Sequence, residues 1–130
     1  MQKKSVSKLK KEIDKYFSLY IRLRSASKDG IVKCFTCNKT GHYKKGFHAG
    51  HFQSRRFLPT RWHPENVQVQ CIKCNLYSQG EQYKFSQKLG KKKSKELEEL
   101  ARSHIKYFRH EYEDFLEEYK QKVRKLTKDS

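Results

Sequence analysis

The sequence predicts an α+β protein in which a small module of short strands and one helix sits between an N-terminal helix and a long C-terminal helical region. Three observations predict it. Apolar residues recur at helical spacing near both ends of the chain. The middle holds only short extended runs separated by turn residues. Two close pairs of cysteines bracket those runs. The expected segments are 1–30 (a basic helix), 31–90 (the framed module) and 91–130 (a helical extension).

Residues 8–25 read as an amphipathic helix, because Leu9, Ile13, Tyr16, Phe17, Tyr20 and Ile21 fall at three- and four-residue steps. Ser7 is the expected N-cap. Asp29-Gly30 is a turn signal. Residues 31–35 then form a short strand, and the polar, glycine-bearing stretch 38–46 a loop. A second strand covers 47–53, an irregular arginine-rich loop with both prolines covers 54–65, and a third short extended piece covers 67–70. A helix is expected from Cys74-Asn75 to Leu89, stopped by Gly90. Lys91, Lys92 and Lys93 read as a basic hinge. From 94 to 126 a stripe running from Leu97 through Phe108 and Tyr119 to Leu126 predicts one long helix. Core packing is the expected use of that stripe, with a homodimer through it as the alternative.

The four cysteines form Cys34-Phe-Thr-Cys37 and Cys71-Ile-Lys-Cys74, with 33 residues between the pairs. Two intervening residues let both thiolates of a pair turn toward one ion, and two such pairs complete the tetrahedral sulfur set that Zn²⁺ favours. Four thiolates leave no open coordination position, so this zinc is expected to be structural. It substitutes for core that a 130-residue chain with only 35% apolar residues lacks. Disulfides are disfavoured in the expected setting, the cytoplasm, because nothing at the N-terminus reads as a secretory signal.

Lys and Arg number 31 and Asp and Glu 14, a net charge of +17. The charges cancel in residues 94–130, which hold nine of each sign, so the whole surplus lies in residues 1–93. A field of that sign concentrates polyanions, and nucleic acid, DNA or RNA, is the expected partner. A membrane surface is not expected, since the basic segments lack an apolar face. Arg55, Arg56 and Arg61, in the loop, and Lys91, Lys92 and Lys93 are candidate backbone contacts.

Between the cysteine pairs the order is His48, His51, Asn66, and then Asn75 directly after the last cysteine. Phosphodiester hydrolysis needs a base for water, a group that orients the base, and a cation for the leaving oxygen. A neutral imidazole suits the first task.

This stretch resembles the HNH, or ββα-metal, nuclease motif, a zinc-framed, treble-clef-type module. The resemblance implies that His51 is the general base, Asn66 the bracing asparagine and Asn75 a ligand of the catalytic cation, Mg²⁺ or Mn²⁺. The family commonly has a ligating aspartate just before the base, where this chain has Gly50. His48 is the candidate replacement, on the expectation that a bulge at Ala49-Gly50 brings 48 and 51 to one face.

A narrower resemblance extends over residues 8–85. Tyr20-Ile-Arg-Leu-Arg24, Val32-Lys-Cys-Phe-Thr-Cys37, Ala49-Gly-His-Phe-x-Ser-Arg55, Arg61-Trp62, Asn66-Val67 and Cys71-x-x-Cys-Asn75 are similar to the phage NinG/Rap recombination proteins. This resemblance implies a structure-selective endonuclease acting on branched DNA such as Holliday junctions or D-loops. The competing expectation is a non-catalytic, zinc-containing DNA-binding recombination accessory protein.

Overall fold

The structure is a computed structural model and describes residues 3–128. The outermost residues of the expected terminal segments, 1–2 and 129–130, lie outside the described residues. The chain is α+β, with helices around two small antiparallel sheets.

Helix α1 (Val6–Arg24) starts earlier than expected, because Ser5 rather than Ser7 supplies the cap. The Ser5 hydroxyl accepts from the Lys8 backbone N–H at 3.1 Å, satisfying one orphan donor of the first turn. Leu9, Ile13, Phe17 and Ile21 are buried at strict four-residue steps. They pack against α5 (Arg109–Lys128) through Tyr112, Leu116 and Tyr119, with Trp62 and Val67 completing the cluster. The two helices run in the same direction: Arg109 reaches the Lys4 carbonyl at one end, and Lys122 lies over the Tyr20 ring at the other. The stripe on α5 is therefore covered within the chain. The module between α1 and α5 supplies the long connection that a parallel helix pair requires.

The expected single C-terminal helix is two, α4 (Lys91–Ala101) and α5, separated at 102–108. The break has a local cause. The Ser103 hydroxyl turns back onto the Leu100 carbonyl at 2.6 Å, ending one helix. The Glu111 carboxylate accepts from the Phe108 N–H at 2.7 Å, starting the next. Lys91, Lys92 and Lys93 are not a hinge but the first turn of α4.

Strand β1 (Ile31–Lys33) pairs with β2 (Thr40–His42), which lies in the stretch expected to be loop. The first cysteine pair occupies the turn between them, closed by Cys34 N–H to Lys39 carbonyl at 2.7 Å. Strand β3 (Phe47–His51) pairs with β4 (Val67–Cys71). The arginine-rich loop joining them contains a single helical turn, α2 (Leu58–Arg61), with Pro59 in its opening positions, where its missing N–H costs nothing.

The helix expected from Cys74 is also interrupted. Lys73–Tyr77 forms one wide π-turn, and α3 (Gln82–Leu89) begins only after a turn in which Gln79, Gly80 and Glu81 all have positive φ. The interruption serves a buried side chain. Gln70 is fully buried, and its amide donates to the Gly80 carbonyl at 2.8 Å and to the Thr36 hydroxyl at 3.0 Å.

The expected bulge in β3 is absent: pairing runs from Phe47 opposite Cys71 to His51 opposite Val67 without a slip. Gly50 has a steric reason instead. A Cβ there would lie 1.8 Å from the Gln70 side-chain oxygen. The space a side chain at position 50 would need is filled by the Gln70 amide. We predict that Gly50→Ala destabilises the zinc-loaded protein by about 1–3 kcal/mol, the usual cost of overpacking, measured by urea unfolding.

Candidate functional site

The four cysteine sulfurs lie within 4.8 Å of one another. Zinc at the usual ~2.3 Å zinc–sulfur distance places its sulfurs about 3.8 Å apart. The Cys37–Cys71 separation of 3.6 Å is close to that edge. Cys34, Cys71 and Cys74 are buried and Cys37 is exposed. Burial and the neighbouring thiols push Cys37 upward, and push Cys74 up to about 12. Burial also acts to raise Cys34, but hydrogen bonds from the Thr36 hydroxyl and from nearby backbone N–H groups outweigh it and bring Cys34 down to about 6. A set in which the Cys34 thiolate forms readily while Cys37 and Cys74 resist joining it is donor chemistry that a divalent cation completes. The four cysteines thus stand where a metal ion such as zinc could be held.

A cleft of about 640 Å³ lies beside this centre. His48, His51 and Asn75 all line it, with Arg22, Lys44, Arg55, Asp14 and Gln82 around them. Strict alternation assigns His48 and His51 to opposite faces of β3. Both nevertheless line the one cleft, whose other walls come from α1 and from the segment after Cys74. Asn75, on the π-turn just after the last cysteine, stands 3.0 Å from His48, its amide against the ring Nδ1.

The Nε2 of His51 stands 2.9 Å from the Arg61 carbonyl. A carbonyl only accepts, so Nε2 carries the proton and Nδ1 keeps the lone pair. Burial pushes the His51 imidazolium below the ordinary histidine range. The Arg61 carbonyl and Asp14 pull it upward, and the Arg55 and Arg61 charges push it further down.

Asn66 is wholly buried and spends its entire side chain on the loop. It accepts from the Gln53 N–H at 2.8 Å and donates to the Gln53 and Thr60 carbonyls, both at 3.0 Å. Thr60 and Arg61 therefore present consecutive carbonyls, one gripped by Asn66 and the other by His51. Asn66 braces the seat of the imidazole rather than touching the ring.

Sequence reasoning missed Asp14. It receives the Arg61 guanidinium in a two-pronged pair at 3.1 and 2.6 Å, and the Trp62 indole N–H at 2.9 Å. It thereby holds the residue whose carbonyl holds His51. The only signal was an acid beside the apolar stripe, one of two, with Glu12, in a mostly basic helix. Gln70 and Thr36 were missed as well; they link the Cys34 sulfur, 3.5 Å from the Thr36 hydroxyl, to the turn that borders the cleft.

The expected basic contacts divide. Arg55 and Arg56 are exposed. Arg61 turns inward onto Asp14, and its charge is taken up there. Lys91 and Lys92 are exposed, while Lys93 pairs with Glu65 and Glu96. Trp62 is buried in the helix-pair core. Arg22, in the cleft, donates to the Tyr43 carbonyl at 3.0 Å. Arg24 clamps α1 to the start of β4 through the Pro64 and Val67 carbonyls, at 2.8 and 2.9 Å.

Among the described residues, the cysteines are the one group of three or more Cys, His, Asp or Glu side chains close enough to share an ion. No helix is long and apolar enough to cross a membrane. These features define a small α+β protein with four clustered cysteines that could hold a metal ion and a histidine-bearing cleft beside its central hairpin. The family model described as Bacteriophage Lambda NinG protein matches residues 1–129, and the chain belongs to this NinG family. No curated protein matches the chain. No solved structure matches it.

Two outcomes are expected. The purified protein should bind one equivalent of zinc, and its cobalt form should show thiolate-to-metal charge-transfer absorption that Cys74→Ala abolishes. Asp14→Ala should leave zinc content unchanged yet lower stability by about 2 kcal/mol, because it strands the partly buried Arg61 and Trp62 donors; thermal and urea unfolding would read it.

Proposed function

We propose that this NinG-family protein is an HNH-type, metal-dependent DNA endonuclease that cuts branched recombination intermediates. The observation that carries the reading is the pairing of consecutive carbonyls at 60 and 61 with Asn66 and His51. It fixes a neutral imidazole in a basic cleft that also holds His48 and Asn75.

In this reading the β1–β2 turn, the β3–β4 hairpin and the segment after Cys74 correspond to the zinc-framed parts of the ββα-metal motif. His51 takes a proton from water at Nδ1, and the resulting hydroxide attacks phosphorus in line with the leaving oxygen. The Nε2 bond to the Arg61 carbonyl keeps the ring in the one tautomer that can accept at Nδ1. It also shares out the positive charge the ring gains. Arg22, Lys44 and Arg55 hold the phosphate and do not discriminate among sequences. His48 and Asn75 would hold a divalent cation, Mg²⁺ or Mn²⁺, which when bound stabilises the charge developing on the leaving oxygen. Two side chains with no carboxylate make a weak site, one that substrate phosphate oxygens complete.

A second reading rests on Gly50. The Gln70 amide fills the space of the usual ligating aspartate, which favours a protein that uses the same framework to bind recombination DNA without cutting it.

One assay separates the readings. Protein is incubated with a four-way junction, a linear duplex and an RNA hairpin, each with Mg²⁺ or EDTA. The enzyme reading expects Mg²⁺-dependent cutting of the junction, reduced about 10²–10⁴-fold by His51→Ala, the usual worth of a general base. Binding without cutting favours the accessory role, and preferential cutting of the hairpin redirects the substrate to RNA. The pH dependence has a definite sign. With its proton affinity lowered in the fold, His51 stays a competent base down through its ordinary value near 6.5, so the acid limb of the rate profile should fall below that pH. The unfolded chain binds that proton more readily, so the contribution of His51 to stability is lost as pH drops from 6.5 toward the lower folded value.

A further inference from the structure

The chain has eight tyrosines. Six of them engage another ring or a cation: Tyr16, Tyr20, Tyr43, Tyr107, Tyr112 and Tyr119. Tyr77 and Tyr83 do neither among the described residues, and they are 81% and 75% exposed. Two bare aromatic faces on one short segment call for a reason, since an unpaired ring in water forgoes the burial that rings usually gain.

Their placement supplies it. Tyr77 follows Asn75 by two residues and Tyr83 follows Gln82 by one, and both Asn75 and Gln82 line the cleft. Leu76, also exposed, sits between Asn75 and Tyr77. The segment carrying them is hydrogen-bonded to its surroundings at several points. Gln79, Gly80 and Glu81 occupy the left-handed region in succession. The Gly80 N–H is bound to the Cys74 carbonyl at 2.7 Å and its carbonyl to the buried Gln70 amide at 2.8 Å. The Gln82 amide donates to the His51 carbonyl at 3.3 Å. The two rings are thus tied through short connections both to the cysteine centre and to the strand bearing His51.

A protein partner is one class of occupant for such a rim, but the charge favours another. The cleft it borders is lined by Arg22, Lys44 and Arg55 against a single acid, Asp14, whose charge Arg61 neutralises. A basic groove, with bare aromatic side chains on the segment that forms part of its wall, suits single-stranded nucleic acid: cations track the phosphates and rings stack on unpaired bases. We propose that Tyr77 and Tyr83 form a stacking platform for unpaired bases of a DNA strand whose backbone lies in the cleft. The platform would let the protein favour DNA with unstacked bases beside a junction over continuous duplex. It rests on the reading of the cleft as a DNA site, but not on the cleft being catalytic.

The test uses the zinc-loaded full chain in EDTA-free buffer without Mg²⁺, so that binding is read apart from cutting. Fluorescence anisotropy is measured with a labelled twelve-nucleotide strand, the same strand with abasic sites in its central half, and the corresponding duplex. Tyr77→Ala and Tyr83→Ala should each weaken binding of the normal strand about tenfold or more. Binding of the abasic strand and the duplex should change less than twofold. Tyr→Phe at either position should retain the affinity. Binding is read without Mg²⁺ and needs no cutting, so failure of the nuclease reading leaves this result untouched. Equal losses on the normal and abasic strands, or no loss from the double alanine variant, would overturn the platform. Unchanged melting temperature and zinc content guard against misfolding, which is not expected at side chains this exposed.

Discussion

Convergence of four sulfurs on one point is the constraint from which the middle of this protein follows. Its sheets are two-stranded, with strands of three and five residues, sizes that do not persist in water alone. Among the described residues, the buried apolar side chains clustered with the cysteines are only Val32, Phe47 and Val69. The sulfurs tie the β1–β2 turn to the end of β4 and the π-turn after it, so the β3–β4 hairpin is caught between two anchored ends. The fixed hairpin forms one wall of the cleft, beside α1 and the segment after Cys74. The Cys34–Thr36–Gln70–Gly80 series of hydrogen bonds extends the constraint from the sulfurs to the turn that leads into α3.

Features written in the sequence as periodicity or spacing were legible. The stripe Leu9, Ile13, Phe17, Ile21 located α1, the cysteine spacing located four sulfurs close enough to hold a metal ion, and the order His51, Asn66, Asn75 picked out side chains that line the cleft or brace its loop. What escaped depends on contacts between residues distant in the chain. Asp14 matters because Arg61 and Trp62, 47 and 48 positions away, fold onto it. Gln70 looks like an ordinary polar residue of an alternating strand, yet it is wholly buried. The break at 102–108 escaped because the apolar stripe continues across it. Only the side-chain bonds of Ser103 and Glu111 end one helix and begin the next, and neither residue type announces a stop. Strand β2 escaped because Thr-Gly-His has no apolar alternation; its pairing is imposed by the cysteine turn that precedes it.

The position of His48 shows how a correct local rule can mislead. Period-two alternation does hold along β3, where the register is unbroken. A bulge seemed necessary to bring 48 and 51 together. The cleft instead takes walls from α1 and from the segment after Cys74 as well as from β3, and both histidines line it without a bulge. The space at Gly50 is closed toward Gln70, while Ala49 and His51 on either side of it line the cleft.

The electrostatics of His51 bear on what the cleft is for. A site that only clamps phosphates gains most from exposed cations, and Arg55 and Arg56 are of that kind. Placing an imidazole among these arginines and then burying it works against a clamp, because both effects strip the ring of positive charge. The protein nevertheless devotes structure to keeping that ring in place. A fully buried asparagine orders the loop, and an aspartate fixes Arg61, whose carbonyl then receives the Nε2 proton. The product is a neutral ring with a lone pair at Nδ1, in a groove rich enough in cations to draw a phosphate toward it. That combination has little use in gripping an anion and direct use in accepting a proton from water beside one. This is why the proton-transfer reading of the cleft outweighs the purely binding one, even with the space at Gly50 taken by a glutamine.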